Sequence, residues 1–165
     1  MARDGAAVKT FLFLLLVPGT VVVWVPHRLL QGAERFQLGS LRFTGVAPIG
    51  LGLAILVWCF WDFVYAGRGT PLPLDPPRFL VARGLYRFVR NPMYWGVELI
   101  LLGEGLLFES ARLWVYALGV GVLFHLFVVL YEERALRKKF GDQYVEYCRS
   151  VPRWFPRLQR HKPVA

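Results

Sequence analysis

Apolar residues in this chain are gathered into four long runs, at about residues 10–26, 43–66, 92–108 and 113–131, with short polar stretches between them. Each run is near the roughly 20 residues that a helix needs to cross a bilayer. The first contains Pro18-Gly19 and reads as a retained membrane helix. A cleaved secretory signal would want a small-x-small site, and Pro26-His27-Arg28 does not supply one. The third is the shortest and carries Glu98 and Glu104; the fourth carries His125. Only Glu109-Ser110-Ala111-Arg112 separates these two, which predicts an antiparallel helical hairpin. Beyond Tyr131 the pattern stays helical but turns polar. Leu136, Phe140, Tyr144, Tyr147 and Cys148 recur at three- and four-residue steps, and Arg137, Lys138, Lys139, Asp142 and Arg149 fill positions between. Glu133 is spaced to pair with Arg137 one turn on, and Pro152 and Pro156 end the segment. The pattern predicts one all-α domain over 1–165: a multi-pass membrane bundle of about four transmembrane helices, a loop at 67–91, and a C-terminal amphipathic helix and tail over 132–165.

Charge adds an orientation. The chain has 165 residues, 56% of them hydrophobic, yet carries a formal net charge of +9. A soluble nucleic-acid binder shares the charge but not long apolar runs, so the bilayer is the expected partner and nucleic acid is not. Four spans put the N-terminal tail, the 67–91 loop and the C-terminal tail on one side, with 16 of the 20 Lys and Arg residues. The other side holds Arg28, Arg35, Arg42 and Arg112. The basic side is expected to be cytoplasmic, with both termini inside. Cys59 lies in an apolar run and Cys148 in the basic tail, so no disulfide framework is implied. No Cys/His cluster suggests a metal.

The polar loop before the third run holds the densest chemistry. It opens Gly67-Arg68-Gly69-Thr70 and continues with Pro71, Pro73, Pro76 and Pro77, which exclude helix and favour a stiff, extended connector or lid. It closes on Arg83, Tyr86, Arg87, Arg90, Asn91 and Pro92, followed by Tyr94 and Trp95. Asn91 is a good N-cap and Pro92 a favoured first helical residue, so a helix is predicted to start there. Standing alone, a cationic and aromatic rim at the mouth of a membrane helix reads as an interfacial anchor.

The stretch Arg90-Asn91-Pro92-Met93-Tyr94-Trp95-Gly96 resembles the R-[HN]-P-x-Y-x-G signature of the integral-membrane methyltransferases, the isoprenylcysteine carboxyl methyltransferases and phospholipid N-methyltransferases. Other landmarks follow in order: Gly67-Arg68-Gly69 resembles the family's G-x-G, Glu132-Glu133 its acidic pair, and Phe140-Gly141-x-x-Tyr144-x-x-Tyr147 with Val151-Pro152-Arg153 its tail. The resemblance covers about residues 44–157. It implies S-adenosyl-L-methionine as methyl donor and a hydrophobic or lipid-like acceptor. It also implies cofactor contacts from Gly67, Gly69, Arg78, Phe79, Leu80, Val81, Tyr86, Arg90, Asn91, Pro92, Met93 and Tyr94, with Glu132 and Glu133 in the catalytic role. The donor carries its own activated methyl group, so the protein needs to hold, align and exclude water rather than supply a nucleophile.

Two positions depart from the carboxyl methyltransferase pattern. Asn91 stands where those enzymes have His, which rules out a titrating imidazole there. Val128 stands about one turn before the acidic pair, where they place an Arg. An isoprenylcysteine-type carboxylate acceptor, a phospholipid-type amine and another small hydrophobic acceptor all stay open. A non-catalytic membrane subunit or carrier is the rival of another class. Glu132 and Glu133 project about 100° apart on a helix and cannot face one ligand atom together. Asp62, Glu98, Glu104 and His125 are ionisable within apolar runs and divide between structural pairing and function. Gly103-Glu104-Gly105, also a G-x-G, is placed mid-helix and reads as close helix packing.

Overall fold

The structure, a computed structural model, describes residues 18–32, 35–62 and 80–156. Among them every regular element is helical. A π-helical turn at Thr20–Trp24 leads into α1, Val25–Leu30. A 3-10 stretch, Gly39–Gly45, runs directly into α2, Val46–Asp62. A 3-10 turn at Gly84–Arg87 precedes α3, Pro92–Leu107. Helix α4, Ala111–Phe127, continues through a π-helical turn at Val128–Glu132 into α5, Glu133–Phe140, and α6 spans Asp142–Ser150.

Two of these helical stretches, Gly39–Asp62 and Ala111–Phe140, are long and apolar enough to cross a membrane, with mean hydropathies of 2.0 and 2.3. Only 22% of each apolar window is buried inside the protein, whereas a soluble core helix would bury most of it. Val57 at 65% and Leu118 at 71% exposure show the outward faces to be as apolar as the inward ones, which suits lipid rather than water. The chain is a membrane protein. Of the other two runs, the first is described only from residue 18 onward. The third, α3, has 16 residues, about 24 Å at 1.5 Å per residue against a hydrocarbon core of about 30 Å.

Helix α3 is the centre of the bundle. Val97, Ile100, Leu101, Gly103 and Gly105 are buried along it, and Val97, Ile100 and Leu101 share a core with Val22, Leu56, Ala117 and Val120. Its contact with the 39–62 stretch is backbone against backbone. A Cβ added at Gly52 would lie 2.5 Å from the Gly96 carbonyl oxygen, and one at Gly103 would lie 2.6 Å from that of Gly45. Gly45 and Gly52 are seven residues apart, as are Gly96 and Gly103, so the two pairs lock an antiparallel register at two levels. Small residues serve this purpose where packing, not water exclusion, holds helices together. Gly105 faces Trp114, so both glycines of Gly103-Glu104-Gly105 sit at close contacts.

The hairpin between α3 and α4 turns on Glu109 at φ 55°. Its backbone carbonyl accepts from the Phe36 amide at 3.0 Å and its carboxylate from the Leu38 amide at 2.7 Å. This ties the approach to α2 to the same end of the bundle. At the opposite end two expectations change. Asn91 stands at the N-cap position but its side chain does not cap α3. Its amide donates instead to the Arg153 carbonyl at 3.2 Å, because the returning tail lies across it and brings a carbonyl that needs a donor. The segment after Tyr131 is not one continuous helix to residue 150. Gly141 at φ 54° breaks it into α5 and α6, a conformation that costs glycine little. Helix α6 then folds back, burying Tyr144, Tyr147 and Val151 against Leu80, Leu136 and Phe140.

Candidate functional site

The start of α3, the junction of α4 with α5 and the C-terminal tail converge at one end of the bundle. The Tyr94 hydroxyl donates to Glu132 Oε2 at 2.7 Å. Glu133, pointing elsewhere, is gripped by Arg153, whose Nε and Nη2 donate to Oε1 and Oε2 at 2.6 and 3.0 Å. Arg90 Nη1 lies 3.1 Å from the same Oε1 and donates to Cys148 Sγ at 2.7 Å. The acidic pair is thus divided as helix geometry requires, one carboxylate to a tyrosine and one to two guanidiniums. Among the described residues the close ion-pair partners of Glu133 are Arg90 and Arg153, and Arg137 acts on it as a nearby charge.

The tail is stapled over the start of α3. The Arg90 amide donates to the Pro152 carbonyl at 2.9 Å, and the Trp95 indole to the Trp154 carbonyl at 2.9 Å. The Trp154 indole in turn donates to His125 Nδ1 at 3.1 Å. Trp154 meets the Tyr94 ring edge-on, and Phe155 meets Trp95 in the same way. The hydrogen bond from Arg153 to Glu133 holds the guanidinium proton even more tightly than usual, outweighing partial burial.

A second group lies beside the first. Val81, Tyr86 and Cys59 form a buried cluster against Ile55, Leu85 and Met93. Burial pushes the Tyr86 phenol well above its ordinary range. The Tyr147 hydroxyl donates to the Tyr86 carbonyl at 2.7 Å, and burial raises the Tyr147 and Tyr144 phenols as well. Buried Asp62 pairs with Arg83 at 3.1 Å. Gly84 at φ 55° is required next to it, since a Cβ there would collide with the Asp62 carboxylate.

Of the residues singled out from sequence, Arg90, Asn91, Tyr94, Glu132 and Glu133 share the polar cluster, with Pro92 buried at the first turn of α3 between them. Val81, Tyr86 and Met93 share the apolar cluster, and Leu80 joins the tail. Gly67, Gly69, Arg78 and Phe79 lie outside the described residues. Cys148, Arg153 and Trp154 enter the site without having been assigned a site role from sequence; the one signal was the resemblance of Val151-Pro152-Arg153 to the family's tail, and Trp154 had none. Among the described residues no three His, Cys, Asp or Glu side chains converge as a metal site.

Tyr94 also forms the wall of a cavity of about 750 Å³ between α3 and α4, lined with Trp95, Glu98, Trp114, Phe124, His125 and Trp154 among others. The size and the mostly aromatic and aliphatic lining suit a small amphiphile.

The family model described as phospholipid methyltransferase matches residues 41–143. The chain belongs to the phospholipid methyltransferase family. That family also takes in the isoprenylcysteine methyltransferases. The matched range contains α2, α3, α4 and both acidic residues. The chain is 30% identical over 146 residues to the cobalt-zinc-cadmium resistance protein CzcN of Cupriavidus metallidurans, covering 86% of this chain and 63% of that protein. It is 32% identical over 80 residues to protein-S-isoprenylcysteine O-methyltransferase B of Arabidopsis thaliana, covering 47% of this chain and 39% of that one. The chain therefore spans less than two thirds of the length of these curated relatives.

The site suits the methyl donor expected in a methyltransferase family. Glu132 has a hydrogen bond from Tyr94 but, among the described residues, no Lys or Arg within ion-pair distance. A half-buried carboxylate of this kind favours a cationic guest. S-adenosyl-L-methionine carries a sulfonium and an ammonium, and the aromatic ring of Tyr94, bonded to Glu132, favours cations further.

Proposed function

We propose that this chain is an S-adenosyl-L-methionine-dependent membrane methyltransferase acting on a lipid-like acceptor. The observation that carries the reading is the Tyr94–Glu132 hydrogen bond of 2.7 Å. It joins two motifs 38 residues apart, beside an apolar cavity and with the tail folded over both. When bound, the donor supplies a methyl group already activated on sulfur. Glu132 offers negative charge to the cation, and Tyr94 fixes its carboxylate. Val81, Tyr86 and Met93 offer an apolar wall, and Gly67, Gly69, Arg78, Phe79 and Leu80 complete the contacts that the family resemblance implies. Arg90, Asn91 and Glu133 act by holding the tail, which excludes water from the site.

The bundle crosses the bilayer four times, with the 16 basic residues of the two tails and the 67–91 loop on the cytoplasmic side. The water-soluble donor then enters from the cytoplasm, and the acceptor comes laterally from the lipid. Val128 is fully buried where a carboxylate acceptor would want an Arg, which favours an amine or another acceptor that needs no guanidinium. A protonated amine must lose a proton before it attacks, and we assign Glu132 to take it.

Binding of radiolabelled S-adenosyl-L-methionine to the purified protein in detergent tests the class. Incubation of membranes with methyl-labelled donor, followed by mass analysis of the extracted lipids, identifies the acceptor. A well-folded protein without donor binding defeats the reading.

A further inference from the structure

The cavity between α3 and α4 has one lining residue that its apolar character does not explain. Glu98 stands one turn along α3 from Tyr94, about 6 Å at 1.5 Å per residue, and forms part of the wall. Its Oε1 is buried and has no hydrogen-bond partner. A Cβ added at Gly121 on α4 would come within 3.3 Å of that oxygen, so the bare backbone at 121 gives the carboxylate its place. A carboxylate oxygen among aromatic and aliphatic groups is costly unless a donor reaches it. Three donors that line the cavity are committed elsewhere: Tyr94 to Glu132, the Trp95 indole to the Trp154 carbonyl, and the Trp154 indole to His125. Val115 and Leu118 both line the cavity and are 71% exposed on the outer face of α4. The cavity therefore opens on the apolar surface of a helix suited to lipid.

We propose that Glu98 is the specificity-determining group of this cavity. It accepts a hydrogen bond from an O–H or N–H group of an amphiphile that enters from the bilayer. The deepening concerns the proposed acceptor, and it rests on the methyltransferase reading only for the end of the ligand beside Tyr94. The acceptor then carries two polar features: the atom that is methylated, and a donor group about one helical turn away. A purely hydrocarbon chain would fill the cavity but leave Glu98 unsatisfied.

The test uses the full chain in phosphatidylcholine nanodiscs, with the indole nitrogens of tryptophan labelled for NMR, since Trp95, Trp114 and Trp154 line the cavity. The probes are 1-dodecanol and 1-methoxydodecane, which differ in the donor. No methyl donor is present. Wild-type protein should reach half-saturation with the alcohol at about one tenth the bilayer mole fraction needed for the ether, the yield of a hydrogen bond to a charged acceptor. Glu98→Leu should bring the two within about twofold, while Glu98→Gln, whose carbonyl still accepts, should keep part of the preference. Partition into the bilayer is common to all the proteins, so differences between them report the cavity alone. Gly121→Ala, which crowds the carboxylate without removing it, should weaken the preference if Glu98→Leu does not fold. Equal response to alcohol and ether in the wild type, or an undiminished preference in the variants, overturns the proposal. Donor binding measured on the same proteins is a separate readout: a chain that prefers the alcohol but binds no S-adenosyl-L-methionine defeats the methyltransferase reading and leaves this one standing.

Discussion

Replacing Arg153 by alanine should unfasten the tail from the start of α3, and the Arg90 amide reports it directly. In the wild type that amide donates to the Pro152 carbonyl at 2.9 Å, so it exchanges with solvent only when the tail lifts. Arg153 supplies two hydrogen bonds to Glu133, at 2.6 and 3.0 Å. A charge-assisted contact of this kind is worth roughly 1.5–3 kcal/mol. The side chains are 32% and 17% exposed, so solvent screening reduces the figure to about 1–2 kcal/mol. Glu133 is not orphaned by the change, because Arg90 stays at 3.1 Å, and no further penalty is added. Exchange at Arg90 should therefore speed up about 5- to 30-fold, measured by amide hydrogen exchange in detergent. Arg153→Lys, which keeps the charge but loses the planar fork, should fall between. Arg149→Ala removes only an ion pair whose partners are both 74% exposed and should leave Arg90 unchanged. An Arg90 rate within about twofold of wild type in Arg153→Ala would refute the reasoning, as would a uniform rise along α3.

Gly52→Ala should lower the thermal midpoint in detergent by an overpacking cost of roughly 1–3 kcal/mol, since its Cβ would press on the Gly96 carbonyl at 2.5 Å; Gly119→Ala, with nothing within 4 Å, should not. Tyr94→Ala should weaken donor binding by roughly 1–3 kcal/mol through lost ring contact and the lost hydrogen bond to Glu132, and Glu132→Gln, which removes the charge offered to the cation, should weaken it by a similar amount and, if the acceptor is an amine, also lower turnover at saturating donor by roughly 10²–10⁴-fold. Tyr147→Phe should loosen the tail by about 1 kcal/mol near neutral pH. The Tyr147 phenol is raised by burial above its ordinary value of 10, so its hydrogen bond is fully present below that value and is lost only as pH climbs through the higher folded one. The tyrosinate absorbance of wild type and Tyr147→Phe should accordingly coincide at about pH 11, and a deficit in the variant there would show the phenol to be ordinary.

The apolar runs by themselves determined that the described chain is helical and belongs in a membrane. Pro92 at the first turn of α3 and the hairpin between α3 and α4 were equally legible, although the link is residues 108–110 rather than 109–112, because helix starts and hairpins are set by local backbone chemistry. The ordered motifs pointed to the family for the same reason: each is a short stretch readable without its neighbours. Only the tertiary structure decided what those side chains touch. From sequence Asn91 was a cap and Glu133 a partner of Arg137; the folded tail, returning through the break at Gly141, claims the first through the Arg153 carbonyl and the second through the Arg153 guanidinium. A local preference is worth a fraction of a kcal/mol to about one, and a charge-assisted contact brought from 20 residues away outweighs it. The seven-residue spacing of Gly45 with Gly52 and of Gly96 with Gly103 was present in the sequence, but its meaning lies in the pairing of two helices, which no single run can express.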